Sequence, residues 1–180
     1  IAQQWPAHLY GEDGAHFPRL VQRGDVSIIA LSSAEPMPWW SAGGRLGAAQ
    51  LGELAQLLTR CAGSFRCVML HHAPLPGQAP ARKDLADAVE LTALLRQHKV
   101  ELVLHGHLHH NAMHVIDDRL RVIVSAPASS AVARNPASYR VFDVRRDGGR
   151  WQVECLLKCA DAAGAISLHQ RDSWSVPVAV

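Results

Sequence analysis

The 180-residue chain is short of several things, and each shortage narrows what it can be. Its 18 Lys+Arg and 16 Asp+Glu leave a formal net charge of +2, so it lacks the basic excess of a nucleic-acid-binding surface. It has no long apolar run: the stretch 26–31 is interrupted by Ser27 and falls far short of the roughly 18 residues a membrane-spanning helix needs. Residues 1–25 hold no charged segment followed by an apolar core, which excludes a signal peptide there. Four cysteines, at 61, 67, 155 and 159, form no closely spaced disulfide framework in a chain long enough to bury its own core. They read as reduced thiols of a cytoplasmic protein, with Cys155 and Cys159 on one face of a strand. Lysine is scarce, 3 residues against 15 arginines and beside 27 alanines, a skew that points to a GC-rich bacterial gene and says little about partners.

What is present is the balance of one globular domain. With 48% hydrophobic and 19% charged residues the chain is too apolar and too weakly charged to stay disordered. No internal repeat or linker divides it, so residues 1–180 read as a single domain.

The first 24 residues are rich in loop signals, with Pro6, Gly11, Gly14 and Pro18. From Asp25 an almost continuous apolar run through Ser33 suits a strand buried on both faces. After a loop, Glu35-Pro36-Met37-Pro38-Trp39-Trp40, residues 47–60 place Leu51, Leu54, Leu57 and Leu58 on one side of a helix that stops near Gly63. A strand over 66–70 follows, then a Pro/Gly-rich turn and a helix over 85–98 with Leu85, Val89, Leu91, Leu94 and Leu95 as its apolar positions. A third buried strand covers 100–104. Further strands are expected at 112–116, 120–125, 139–145 and 151–157, the last two joined by a hairpin over Asp147-Gly148-Gly149.

Histidine is the residue in excess. Eight of the 11 fall between 71 and 114, where an even spread would put fewer than three; besides His98 these are at 71, 72, 105, 107, 109, 110 and 114. The strands at 66–70 and 100–104, with the helix between them, make a β-α-β unit whose strands should run parallel. Both histidine groups lie just past the carboxyl ends of those strands, where open α/β sheets place their ligands, so they should converge in space. Neutral imidazole is a ligand for Zn, Mn and Fe, and a tight His-x-His turn presents two of them together. Gly106, without a Cβ, suits a sharp turn as the chain leaves the strand.

At these residues the chain resembles a known family. The segment His71-His72-Ala73-Pro74-Leu75 after one apolar strand, and Leu102-Val103-Leu104-His105-Gly106-His107-Leu108-His109 in the next, look like the carboxyl-terminal half of the calcineurin-like metallophosphoesterases, whose strands end in H-x-P or H-H-P-P and in G-H-x-H. The stretch from Phe17 to Gln50 is similar to bacterial phosphodiesterase-type members. The resemblance implies an α/β fold, part of a four-layer α-β-β-α sandwich around two divalent transition-metal ions (Mn, Fe or Zn). It implies that His71 and His107 ligate one ion and His109 the other, and that a metal-activated hydroxide hydrolyses a phosphomonoester or phosphodiester of some small phosphorylated substrate. His72 matches no ligand position, and His105, His110 and His114 carry no assigned role. Arg45, Arg82 and Lys83 lie on loops from which they could meet phosphate oxygens or serve as ordinary solvated charge.

The family's D-x-H, G-D-x-x-D and G-N-H motifs are not in the sequence, and Arg23-Gly24-Asp25-Val26 opens a strand where a ligand motif would follow one. Two unit charges 4 Å apart repel by about 4 kcal/mol at an effective dielectric of 20, so two dications at that spacing repel by roughly 16 kcal/mol. Three neutral imidazoles cannot offset this; a bridging carboxylate or hydroxide is needed. The sequence, beginning at Ile1, therefore reads as the later part of a longer domain whose first segment is missing, inactive as it stands. The other reading is a non-catalytic metal- or partner-binding remnant of that fold.

Overall fold

The computed structural model describes residues 17–128, 131–132 and 135–179. Eleven strands and two α-helices are placed among them. The chain opens with β1 (Arg19–Arg23), turns at Gly24 and Asp25, and returns antiparallel as β2 (Val26–Ala30). It continues through α1 (Gly47–Arg60), β3 (Phe65–Leu70), α2 (Ala88–Gln97) and β4 (Leu102–His105). Then come β5 (Ala112–Val115), β6 (Arg121–Val124), the two-residue strands β7 (Ala131–Val132) and β8 (Asn135–Pro136), and the long strands β9 (Ser138–Asp147), β10 (Arg150–Ala160) and β11 (Ile166–Pro177).

A six-stranded mixed sheet has the order β1-β2-β3-β4-β6-β5, with β2, β3, β4 and β6 parallel and both edges antiparallel. A second sheet, β11-β10-β9, is antiparallel throughout. Pleat alternation sorts the core into two layers. Ile29, Val68, Val103 and Val122 face Leu54 and Leu58 of α1 and Leu91 and Leu95 of α2. On the other side, Phe65, Cys67, Leu102 and Ile123 meet Trp151, Val153, Cys155 and Val176 of the second sheet. The described residues thus stack as helices, sheet, sheet. All four cysteines are buried and unpaired, and no described helix is long and apolar enough to cross a membrane.

Four strands lie where the sequence reads otherwise: the two-residue β7 and β8, and the longer β1 and β11. β1 falls in the stretch expected to be loop, because it is an edge strand whose residues are half-buried or exposed and alternate weakly. β11 alternates apolar residues only at its two ends, Ile166 and Leu168 and then Trp174 and Val176, with Gln170 and Asp172 interrupting that face and most of the strand exposed, so its period is easily missed. Helix α2 starts three residues later than the pattern suggests, because Leu85 bridges to Gly44 and Asp87 is used elsewhere. Val89, expected on its apolar face, is exposed.

Candidate functional site

Strands β3 and β4 are immediate parallel neighbours, with Leu70 opposite His105. The register carries past the strand ends: the Gly106 N–H donates to the His71 carbonyl at 3.1 Å. This brings His71 and His107 together, with His71 Nε2 and His107 Nδ1 3.1 Å apart. The His72 ring completes the group, its centroid 4.6 Å from that of His107 and 5.1 Å from that of His71.

The turn that aims these rings is made by histidine itself. Gly106 has no left-handed φ, and a Cβ there would meet only ordinary contacts, 3.7 Å from His71 Nδ1 at the nearest. The sharp bend falls one residue later, at His107 (φ 67°) and again at His109 (φ 55°). The Leu108 N–H donates to the Gly106 carbonyl at 2.8 Å, closing a γ-turn centred on His107. A non-glycine residue in this region is strained, and such strain is held where the surroundings over-determine it.

His72 is fixed by two bonds. Its Nε2–H donates to the Ala42 carbonyl at 3.0 Å, which leaves Nδ1 to accept from the Ser33 hydroxyl at 2.8 Å. Ser33 and His72 are both buried, so the pair resembles a nucleophile and base only in composition; it works as a clasp. Gly44 packs against it so closely that a Cβ would lie 2.4 Å from the Ser33 carbonyl oxygen and 2.5 Å from His72 Nδ1. The same segment is held from the other side by Asp87, whose carboxylate accepts from the N–H groups of Leu46 and Gly47 at 2.8–3.1 Å. A negative charge at that place also suits the amino terminus of α1.

The electrostatics favour neutral rings. Burial, then the neighbouring His72, His71 and Lys83, pushes His107 down to about 4, with the Lys83 backbone offsetting a part. Partial desolvation, then His72 and His109, lowers His71. Burial is also the main cause for His105, lowered to about 4 against the opposing effect of its bond to the Gly106 carbonyl. Neutral imidazole is the ligating form. His107 Nε2 and His105 Nε2 are both buried without a hydrogen-bond partner.

The remaining sequence candidates are placed unevenly. His109 is exposed and reaches His71 only through its charge. His110 bonds to the Leu108 carbonyl, and His110 and His114 act on His105 through charge. Arg45 pairs with Glu35 at 3.4 Å, whereas Lys83 lies beside His107. Sequence reasoning missed the Ser33–His72 clasp, Gly44 and Asp87; the adjacent Gly43 and Gly44, four and three residues before a helix, were the available signal.

Set against the ions implied by the resemblance, these donors fit in part. Two neutral imidazole nitrogens 3.1 Å apart and an unpartnered buried Nε2 have the chemistry of a histidine ligand pair. Among the described residues, however, no three His, Cys, Asp or Glu side chains are gathered to hold a metal, and no carboxylate joins the cluster. The imidazole pair has donors that suit a divalent ion, and among the described residues it lacks the carboxylate that two ions would need.

The fold and site together define a mixed α/β protein with paired histidines at its parallel strand ends. Among solved structures it is similar to the purple acid phosphatase PPD1 from yellow lupin (Lupinus luteus) seeds, with a TM-score of 0.51 and 12% identity over 92% of this chain and 33% of that one. It is also similar to a dimetal phosphatase from Danio rerio (TM-score 0.47, 16% identity, 76% of this chain and 40% of that one). A third likeness is to Vps29 from Chaetomium thermophilum (TM-score 0.41, 10% identity, 93% of this chain and 64% of that one). At these identities the lupin structure shows a shared fold and nothing finer, and this chain spans less than two thirds of each. No protein-family model and no curated protein sequence matches the chain.

Proposed function

We propose that this chain carries the histidine portion of a metal-dependent phosphoesterase, in a four-layer sandwich with Mn, Fe or Zn at His71, His107 and His109. The observation that supports it is the 3.1 Å approach of His71 and His107, 36 residues apart, at the ends of adjacent parallel strands. Lys83, beside His107, is suited to an anionic phosphoryl oxygen. The near-neutral charge of the chain favours a small phosphorylated substrate over nucleic acid, and four unbonded thiols favour the reducing cytoplasm.

The test is hydrolysis of bis(p-nitrophenyl) phosphate with Mn²⁺ by the protein at its full natural length. Activity that His107→Ala removes supports the reading, and full activity in that variant overturns it. Among the described residues the cluster holds imidazoles and no carboxylate, a donor set that favours a second reading, a metal-binding protein without catalysis. Metal uptake without hydrolysis at natural length selects that one.

A further inference from the structure

Residues 33–45 form a closed surface loop whose ends meet: the Arg45 N–H donates to the Ser33 carbonyl at 3.2 Å. Its tip is a turn, Pro38-Trp39-Trp40-Ser41, closed by the Ser41 N–H on the Pro38 carbonyl at 2.9 Å. Trp39 is 93% exposed and Trp40 62% exposed, the two rings edge to face with centroids 5.6 Å apart. Tryptophan is rarely left so bare, and two together at the tip of a held loop form an apolar surface that no other described residue covers.

The loop is tied to the histidine cluster. Ala42, two residues past Trp40 and so within about 7 Å of it along the chain, accepts from His72, whose ring lies against His107. The Ala42 N–H and the Ser41 hydroxyl both donate to the Arg82 carbonyl, at 2.8 and 3.2 Å, and Gly44 N–H donates to the Asp84 carbonyl at 3.1 Å. One limb of the loop is therefore zipped to the turn that carries Arg82 and Lys83, while its tip stands free. Through Ala42 and the Arg82 carbonyl, the loop that carries the two indoles is joined to both the cluster of imidazoles and the cationic turn.

We infer that Trp39 and Trp40 are a specificity-determining platform for a phosphoester that bears a flat aromatic ring, the ring stacking on indole while the phosphoryl group lies by Lys83 and His107. This deepens the phosphoesterase reading and rests on it. Stacking on an exposed aromatic is sequence-tolerant chemistry: any planar ring with a π-face qualifies. The platform would discriminate by leaving group and leave the phosphoryl contacts unchanged.

The experiment titrates the ¹⁵N-labelled chain with phenyl phosphate, methyl phosphate and phenol, reading indole and backbone signals by NMR. Phenyl phosphate should bind about tenfold tighter than methyl phosphate and shift the Trp39 and Trp40 indole signals. Trp39→Ala with Trp40→Ala should erase that ratio without weakening methyl phosphate, and Trp39→Phe with Trp40→Phe should keep part of it. Lys83→Met should weaken both phosphates alike. If both phosphates bind equally, or the double alanine variant keeps the ratio, the platform is refuted and the phosphoester site stands. If neither phosphate binds with saturating Zn²⁺ present, both readings fall. Indole signals that respond to phosphatidylcholine vesicles and not to phenyl phosphate would make the loop a membrane contact and refute the inference.

Discussion

Gly44 shows how little room surrounds the histidine cluster. A methyl group there would press on the Ser33 carbonyl and the His72 ring at once, one of them backbone that cannot rotate away. Gly44→Ala should therefore destabilise the protein by about 1–3 kcal/mol in urea unfolding, and an unchanged midpoint would mean the clasp is loose. The histidines also set a pH dependence. His105 and His107 are held at about 4, and His71 is lowered, while an unfolded chain takes up these protons near 6.5. Between those values the unfolded state binds more protons, so stability falls as pH drops from about 6.5 towards 4 and levels off below. Thermal melts of metal-free protein from pH 7.5 to 4.5 should show this. His105→Gln should make the fall shallower, and an identical slope in that variant would remove His105 from the account.

At the scale of elements, the end of the sheet away from the histidines is fastened by buried charge. Glu101 is fully buried and accepts two bonds from the Arg66 guanidinium, at 3.0 and 3.1 Å, one from the Arg66 N–H at 2.9 Å and one from Arg119 at 3.3 Å. Arg119 also donates to the Pro177 carbonyl, joining the start of β4 to the end of β11. Glu101→Gln would leave Arg66 buried beside a neutral group and should cost about 3–5 kcal/mol in chemical denaturation; a loss below 1 kcal/mol would show that water reaches the site. None of this network is legible in the sequence, where Arg66 and Glu101 look like ordinary polar interruptions of apolar runs. The helices and β10 were legible because each buries a periodic apolar face: Leu54 and Leu58 sit at helical spacing, and Trp151, Val153 and Cys155 alternate. The parallel strands were legible as short, nearly continuous apolar runs. β1 and β11 were not, since β1 is a short edge strand and polar residues interrupt the apolar face of β11.

For the whole molecule, the convergence of two histidine groups followed from topology alone, because parallel neighbours joined by a helix share an end. The details did not follow. Which histidine takes the left-handed bend, that Ser33 holds His72, and that Lys83 rather than Arg45 approaches His107 all depend on long-range packing. The central claim is that His71 and His107 are a pair of metal ligands and not merely two hydrogen-bonded rings. Calorimetric titration with Zn²⁺, comparing the chain with His107→Ala, tests it most directly. The account predicts one ion bound through this pair, with affinity falling at least about tenfold in the variant. Equal binding by both proteins, or no binding by either, would contradict it.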